Sequence, residues 1–157
     1  MSPLFPNLRC EKKFIAEGHT LAEVLARVRL HPSAFREVYP PRTVNNVYLD
    51  SPARRDCHDH INGAENRSKT RVRWYGEKPE VVERPMLERK LKRGAVSGKE
   101  AYGLPPFSVN GGSLRPLLEN KFDAAQLHVL LRATLKHLEP VLLNSYRRRY
   151  FLSRDGH

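Results

Sequence analysis

The sequence predicts an α+β fold built on antiparallel strands. Three observations carry this. Several segments alternate with period two, two others repeat apolar residues at helical spacing, and three consecutive strands follow one another without a helix between them. The 157 residues, 39% hydrophobic, suit one domain with one core spanning residues 1–157.

The elements follow in order. Residues 1–7 are Pro-rich and read as a frayed tail. Residues 8–14 (LRCEKKF) alternate, with Arg9, Glu11 and Lys13 on one side and Leu8, Cys10, Lys12 and Phe14 on the other. His19–Leu30 reads as a helix: Thr20 is an N-cap with Glu23 at capping-box spacing, and Leu21, Val24, Leu25 and Val28 form its apolar stripe. Pro32, Pro40 and Pro41 break the next stretch. Residues 43–50 form a second strand, 51–66 a loop or short helix, and 67–76 and 85–92 two further strands. The glycines and prolines between Gly94 and Gly112 predict a long loop region. Asp123–Leu138 repeats leucines at helical spacing (Leu127, Leu130, Leu131, Leu135, Leu138), and Pro140 stops it. Residues 141–152 form a last strand.

Lys and Arg total 28 against 17 Asp and Glu, a formal net charge of +11. An anion is the expected partner. No apolar run approaches the roughly 18 residues of a membrane span. The start, MSPLFPNLRCEKKF, has no basic segment leading into an apolar one, as a signal peptide would. Cys10 and Cys57 make neither a disulfide framework nor a zinc pair, which fits a reducing, cytoplasmic setting.

Period two then sorts the cations. Arg67, Lys69, Arg71, Arg73 and Tyr75 share one face. Glu88, Lys90 and Lys92 share a face with Met86, while Leu87, Arg89 and Leu91 take the other. On the last strand Tyr146, Arg148 and Tyr150 oppose Arg147, Arg149 and Phe151. A solvated strand face normally mixes signs, because like charges in adjacent strands repel. Here Arg9, Lys13, Lys69, Arg71, Arg73, Lys90, Lys92 and Arg148 stand against Glu11 and Glu88. A polyanion would neutralise such a surface; Arg grips phosphate bidentately and Lys acts as a point charge.

Other motifs carry less. Asp56-Cys57-His58-Asp59-His60 has the ligand types of a metal site, but one loop rarely converges four ligands at that spacing. Gly94 to Glu100 is one residue short of a P-loop and has Glu where Ser or Thr must meet Mg²⁺. His128 and His137 read as surface or boundary residues, and Cys10 as a core thiol.

Five blocks in order carry a resemblance. R9-C-E11-K-K13-F, N46-V-Y48-L-D50-S51, R67-x-K69-x-R71-V-R73-W-Y75-G76, L87-E88-R-K90-L-K92-R93-G94 with G98-K99-E100, and L138-x-P140 with S145-Y146-x-R148 resemble the successive strands of the VTC domain. That is the polyphosphate polymerase domain of the vacuolar transporter chaperone type, among the CYTH-like triphosphate tunnel metalloenzymes. The resemblance implies a closed antiparallel barrel of about eight strands with a cationic lumen. Arg9 stands where CYTH members carry the first Glu of E-x-E-x-K. About three later strands of the family pattern, with acidic metal ligands and a further lysine, lie beyond this chain, so the resemblance implies an incomplete barrel or one completed by a second chain.

The chemistry so implied is transfer of the γ-phosphate of ATP to a polyphosphate chain. Arg71, Arg73, Lys90 and Arg148 would carry catalysis, and Arg9, Lys13, Lys69, Lys92, Lys99 and Tyr146 would hold phosphate. Glu11 and Glu88 would bind Mn²⁺ or Mg²⁺. Tyr48, Asp50 and Tyr75 match motif positions as wall residues. Two other classes fit the charge. One is a phosphate-chain receptor or triphosphate hydrolase. The other is a nucleic-acid binder, disfavoured because aromatics interleave the cations only at Trp74, Tyr75, Tyr146 and Tyr150.

Overall fold

The computed structural model describes residues 12–77, 81–108 and 113–156. Helix α1 spans Leu21–Arg29, strand β1 Arg36–Asp50, helix α2 Arg55–Ile61 and strand β2 Arg67–Tyr75. Strands β3 (Val81–Val82), β4 (Met86–Arg93), β5 (Val96–Gly103) and β6 (Phe107–Ser108) follow. Helices α3 (Leu114–Ala124) and α4 (Val129–Leu135) lead to the last strand, β7 (Glu139–Leu152). The fold is α+β. Five strands form one sheet in the order β5-β4-β2-β1-β7, and β3 pairs with β6. Among the described residues this sheet has β5 and β7 at its edges, and no closed barrel forms.

The chain clusters into two compact units, Met1–Pro40 with Tyr150–His157, and Pro41–Arg149. In the smaller unit, α1 starts as the sequence predicts. Thr20 Oγ1 accepts from the Glu23 backbone N–H at 3.3 Å, and Glu23 Oε2 accepts from the Thr20 N–H at 2.7 Å. Val24, Leu25 and Val28 are half-buried, and no residue of α1 is fully buried. The Tyr39 and Tyr150 rings meet edge-on at 5.8 Å.

In the larger unit the sheet's core face is one row after another. Val47, Val72, Leu87 and Tyr102 stand opposite each other across β1, β2, β4 and β5. Leu118 and Phe122 of α3 and Leu131 and Leu135 of α4 belong to the same buried cluster, with Trp74 edge-on to Phe107 at 5.9 Å. Burial of this apolar surface, about 25 cal/mol per Å² removed from water, is what holds the sheet flat side down on the helices.

Four expectations change. Residues 12–14 are not a strand, and Phe14 is 87% exposed; alternation alone fixes no strand where the apolar side finds nothing to bury it. The rest of that segment, with Arg9, Cys10 and Glu11, lies outside the described residues. Pro40 and Pro41 do not break β1, because they precede Val44, where the β2 ladder begins and backbone N–H groups are needed on that side. The expected loop after Gly94 contains β5. Gly94 and Ala95 form a two-residue hairpin turn between Arg93 and Val96, and Gly94 has φ 56°, as the first position of a type II′ turn requires. The helix expected over 123–138 is the shorter α4, and α3, which was not expected, ends at Ala124 just inside that range. Ala125 is extended (ψ 149°) and His128 caps α4 by accepting from the Leu130 N–H at 3.3 Å. The break lets Ala125 and Leu127 bury, at the expense of Val129 and Leu130, each 70% exposed.

Candidate functional site

The opposite face of the same strands carries the cations. Backbone register aligns Asn46, Arg73, Met86 and Gly103 in one row, and Tyr48, Arg71, Glu88 and Ala101 in the next. Lys69, Lys90 and Lys99 form a third row, and Arg67, Lys92 and Ser97 a fourth. The period-two assignment holds for β2 and β4. Arg89 falls on the other face, in the row Leu49, Thr70, Arg89, Glu100.

Glu88 organises this face. It is 8% exposed, and Arg71 donates to its Oε2 from Nε at 2.8 Å and from Nη2 at 2.6 Å. The Arg73 guanidinium lies 3.7 Å from the same oxygen. The Lys99 ammonium lies 2.6 Å from Oε1. One carboxylate thus gathers three cations from β2 and β5. Burial pushes the Glu88 carboxyl up, but the Lys99 and Arg71 hydrogen bonds and the Arg71 and Arg73 charges outweigh it and hold it below the usual carboxylate range. Burial acts to lower the Arg71 guanidinium, and its bonds to Glu88 and Tyr48 reverse this and raise it.

From the other side an asparagine pair fixes Arg73 and a tyrosine holds Arg71. Arg73 Nε donates to Asn46 Oδ1 at 2.8 Å, and Asn46 Nδ2 donates to Asn144 Oδ1 at 2.8 Å. Arg71 Nη1 donates to Tyr48 Oη at 3.3 Å, with the guanidinium 5.9 Å from the ring centroid. Asn46 is fully buried, so it needs both partners. Asn46 opens the second motif block of the sequence but carries no expected role there, and Asn144 is not among the motif residues. The usable signal was a polar residue on the cationic side of a strand, between Val44 and Tyr48 in one case and two before Tyr146 in the other.

Lys90 is exposed, Lys69 and Lys92 are half-buried, and all three lie on the cationic face. Tyr146 and Arg148 lie two and four residues beyond Asn144 on β7, with the Arg148 guanidinium 5.7 Å from the Tyr146 ring. Tyr75 is 6.0 Å from the Arg42 guanidinium. Lys13 is exposed in a segment without regular structure. Arg9 and Glu11 lie outside the described residues. Asp50 serves structure: its carboxylate accepts from the backbone N–H groups of Ser51, Asp56 and Cys57 at 2.7, 3.0 and 2.9 Å, which anchors the start of α2.

Glu88 stands among cations, and its expected partner in metal binding, Glu11, lies outside the described residues. Among the described residues no three His, Cys, Asp or Glu side chains converge on a possible metal site. Both Glu88 oxygens already serve cations, and three positive groups surround the place a divalent ion would take. Among the described residues no helix is long and apolar enough to cross a membrane.

No curated protein matches this chain. The VTC domain family model matches residues 8–157, which takes in all four rows of the cationic face. The chain belongs to the VTC domain family.

Proposed function

We propose that the cationic face binds a linear phosphate chain, and that the protein transfers the γ-phosphoryl group of ATP to the end of a polyphosphate chain. The observation that carries this is the Glu88 cluster: three cations, Arg71, Arg73 and Lys99, on one carboxylate, with Lys69 and Lys90 beside Lys99 in its cross-strand row. Like charges placed side by side cost stability unless an anion joins them. Family membership supports the same reading.

In this reading the terminal oxygen of the acceptor chain attacks the γ-phosphorus, the bond to the bridging oxygen breaks, and ADP leaves with that electron pair. Such transfer needs positioning and charge neutralisation more than a covalent catalyst. Arg71 and Arg73 have the fork geometry for phosphoryl oxygens, and Lys69, Lys90, Lys92 and Lys99 spread charge along the chain. Arg148 and Tyr146 extend the face along β7. A divalent ion enters with the triphosphate, held by phosphate oxygens as part of the substrate.

Thermal shift with tripolyphosphate tests binding. At one hundred times Kd the ligand stabilises by about 2.7 kcal/mol. Arg71→Ala and Arg73→Ala each remove most of that shift and Arg89→Ala does not. No shift with tripolyphosphate overturns the proposal. ADP release with growth of the phosphate chain shows transfer; ADP with free phosphate shows hydrolysis. Binding with neither product favours the second reading, a receptor, in keeping with a sheet that is open among the described residues, since transfer chemistry needs water kept out.

A further inference from the structure

One cation stands on the wrong side of the sheet for the phosphate face. The row Leu49, Thr70, Arg89, Glu100 belongs to the core side, next to the apolar row Val47, Val72, Leu87, Tyr102. Arg89 therefore puts a permanent charge beside apolar neighbours. Its Nε is buried and has no hydrogen-bond partner among the described residues. A buried donor left unsatisfied costs stability, more so when it is charged, and it calls for an acceptor.

There is room for one. Arg89 lines a cavity of about 540 Å³ between the loop entering α2, strands β2 and β4, and the end of α4. Pro52, Ala53 and Leu138 give it apolar walls, and Thr70 and His137 add polar groups. Asp50 and Asp56 line it too, but both are engaged elsewhere. Asp50 accepts from three backbone N–H groups, and the Ser68 hydroxyl lies 2.8 and 2.9 Å from the two Asp56 oxygens. Burial above all, joined by the Asp50 and Asp59 charges, holds the Asp56 carboxyl above the usual carboxylate range against the Ser68 bond and the Arg89 charge. Negative charge is already crowded on this side of the cavity.

We infer that this cavity binds a small monocarboxylate with an apolar body, its carboxylate on Arg89 and its body along Pro52, Ala53 and Leu138. Arg presents a planar fork that matches a carboxylate with paired hydrogen bonds. A single negative charge satisfies the guanidinium without the repulsion that a doubly charged phosphate ester meets from Asp50 and Asp56. The apolar walls suit a hydrocarbon body. The inference does not depend on what the cationic face binds, because Arg89 lies on the opposite side of the sheet from Arg71 and Glu88.

Calorimetry on the full chain tests it with three ligands of the same hydrocarbon body: octanoate, octyl phosphate and 1-octanol. Octanoate is expected to bind at least about tenfold tighter than either of the others. Arg89→Met keeps the apolar stem and removes the charge, and it is expected to weaken octanoate about tenfold or more. Arg29→Met removes an exposed cation of α1 and is expected to leave octanoate affinity within about twofold. Ala53→Trp fills the cavity from an exposed position and is expected to abolish octanoate binding. Both cavity variants are expected to unfold cooperatively and to keep the tripolyphosphate shift of the parent protein. Equal binding of octyl phosphate or of octanol overturns the inference, as does octanoate binding that survives Arg89→Met or Ala53→Trp. Loss of cooperative unfolding in both variants also counts against it, since the effect is then on the fold. Octanoate binding without any tripolyphosphate shift in the parent protein leaves this site standing and removes the phosphate reading.

Discussion

Glu88 and its partners carry the predictions that belong to single residues. Glu88→Gln keeps an acceptor but removes the charge that Arg71, Arg73 and Lys99 share. Chemical denaturation is expected to show a loss of roughly 3 kcal/mol, since two of those groups are largely buried. Tripolyphosphate should then stabilise the variant more than the parent protein, because it supplies the missing negative charge. Lys99 gives the contrasting result. Its side chain is 57% exposed, so Lys99→Ala should change stability by less than about 1 kcal/mol while calorimetry shows tripolyphosphate affinity falling about tenfold. The pH dependence follows from the lowered Glu88 carboxyl. A depressed native pKa adds stability that is fully present above the unfolded value, about 4.3, and is lost as pH falls through the native one. The stability gap between parent and Glu88→Gln should therefore be constant from pH 5 upward, to roughly 8, and shrink in acid below that window. A gap that widens in acid would show that Glu88 is not the paired group.

At the scale of elements, the β4–β5 hairpin sets where Lys99 stands. Its two-residue turn depends on Gly94 at φ 56°, and an added Cβ there would meet nothing within 4 Å. Gly94→Val thus isolates backbone strain. It should cost about 1–2 kcal/mol by denaturation and also weaken tripolyphosphate binding, since Lys99 lies on the strand the turn holds in place. Unchanged binding would detach Lys99 from the site. The sequence showed β2 and β4 plainly, because a period of two with apolar residues on one side is local. It did not show β5, where Gly98 and Gly103 hide the pattern and pairing with β4 supplies the structure. Nor did it show that the leucines after Asp123 belong to a helix that starts afresh at Val129. Leu127, Leu131 and Leu135 keep helical spacing and are all buried, so spacing alone does not distinguish one helix from an extended turn followed by a shorter one.

For the molecule as a whole, the charge of +11 predicts salt-sensitive association with any polyanion. The cationic rows predict more than that. Tripolyphosphate should outcompete a single-stranded oligonucleotide of equal charge at about 0.15 M salt, because clustered Arg and Lys match closely spaced phosphoryl oxygens. Preferential binding of the oligonucleotide in a competition titration would instead assign the face to nucleic acid.

The sequence by itself determined which side chains share a face, where α1 starts and how much positive charge the strands carry. Those features are local: the pleat sets side-chain direction, and a capping box needs four residues. Only the tertiary structure decided that Glu88 meets Arg71, Arg73 and Lys99 at once, and that Asn46 and Asn144 brace Arg73. Strand order and register join residues as far apart as Asn46 and Asn144. They are set by how the apolar rows pack on α3 and α4, which no local pattern records.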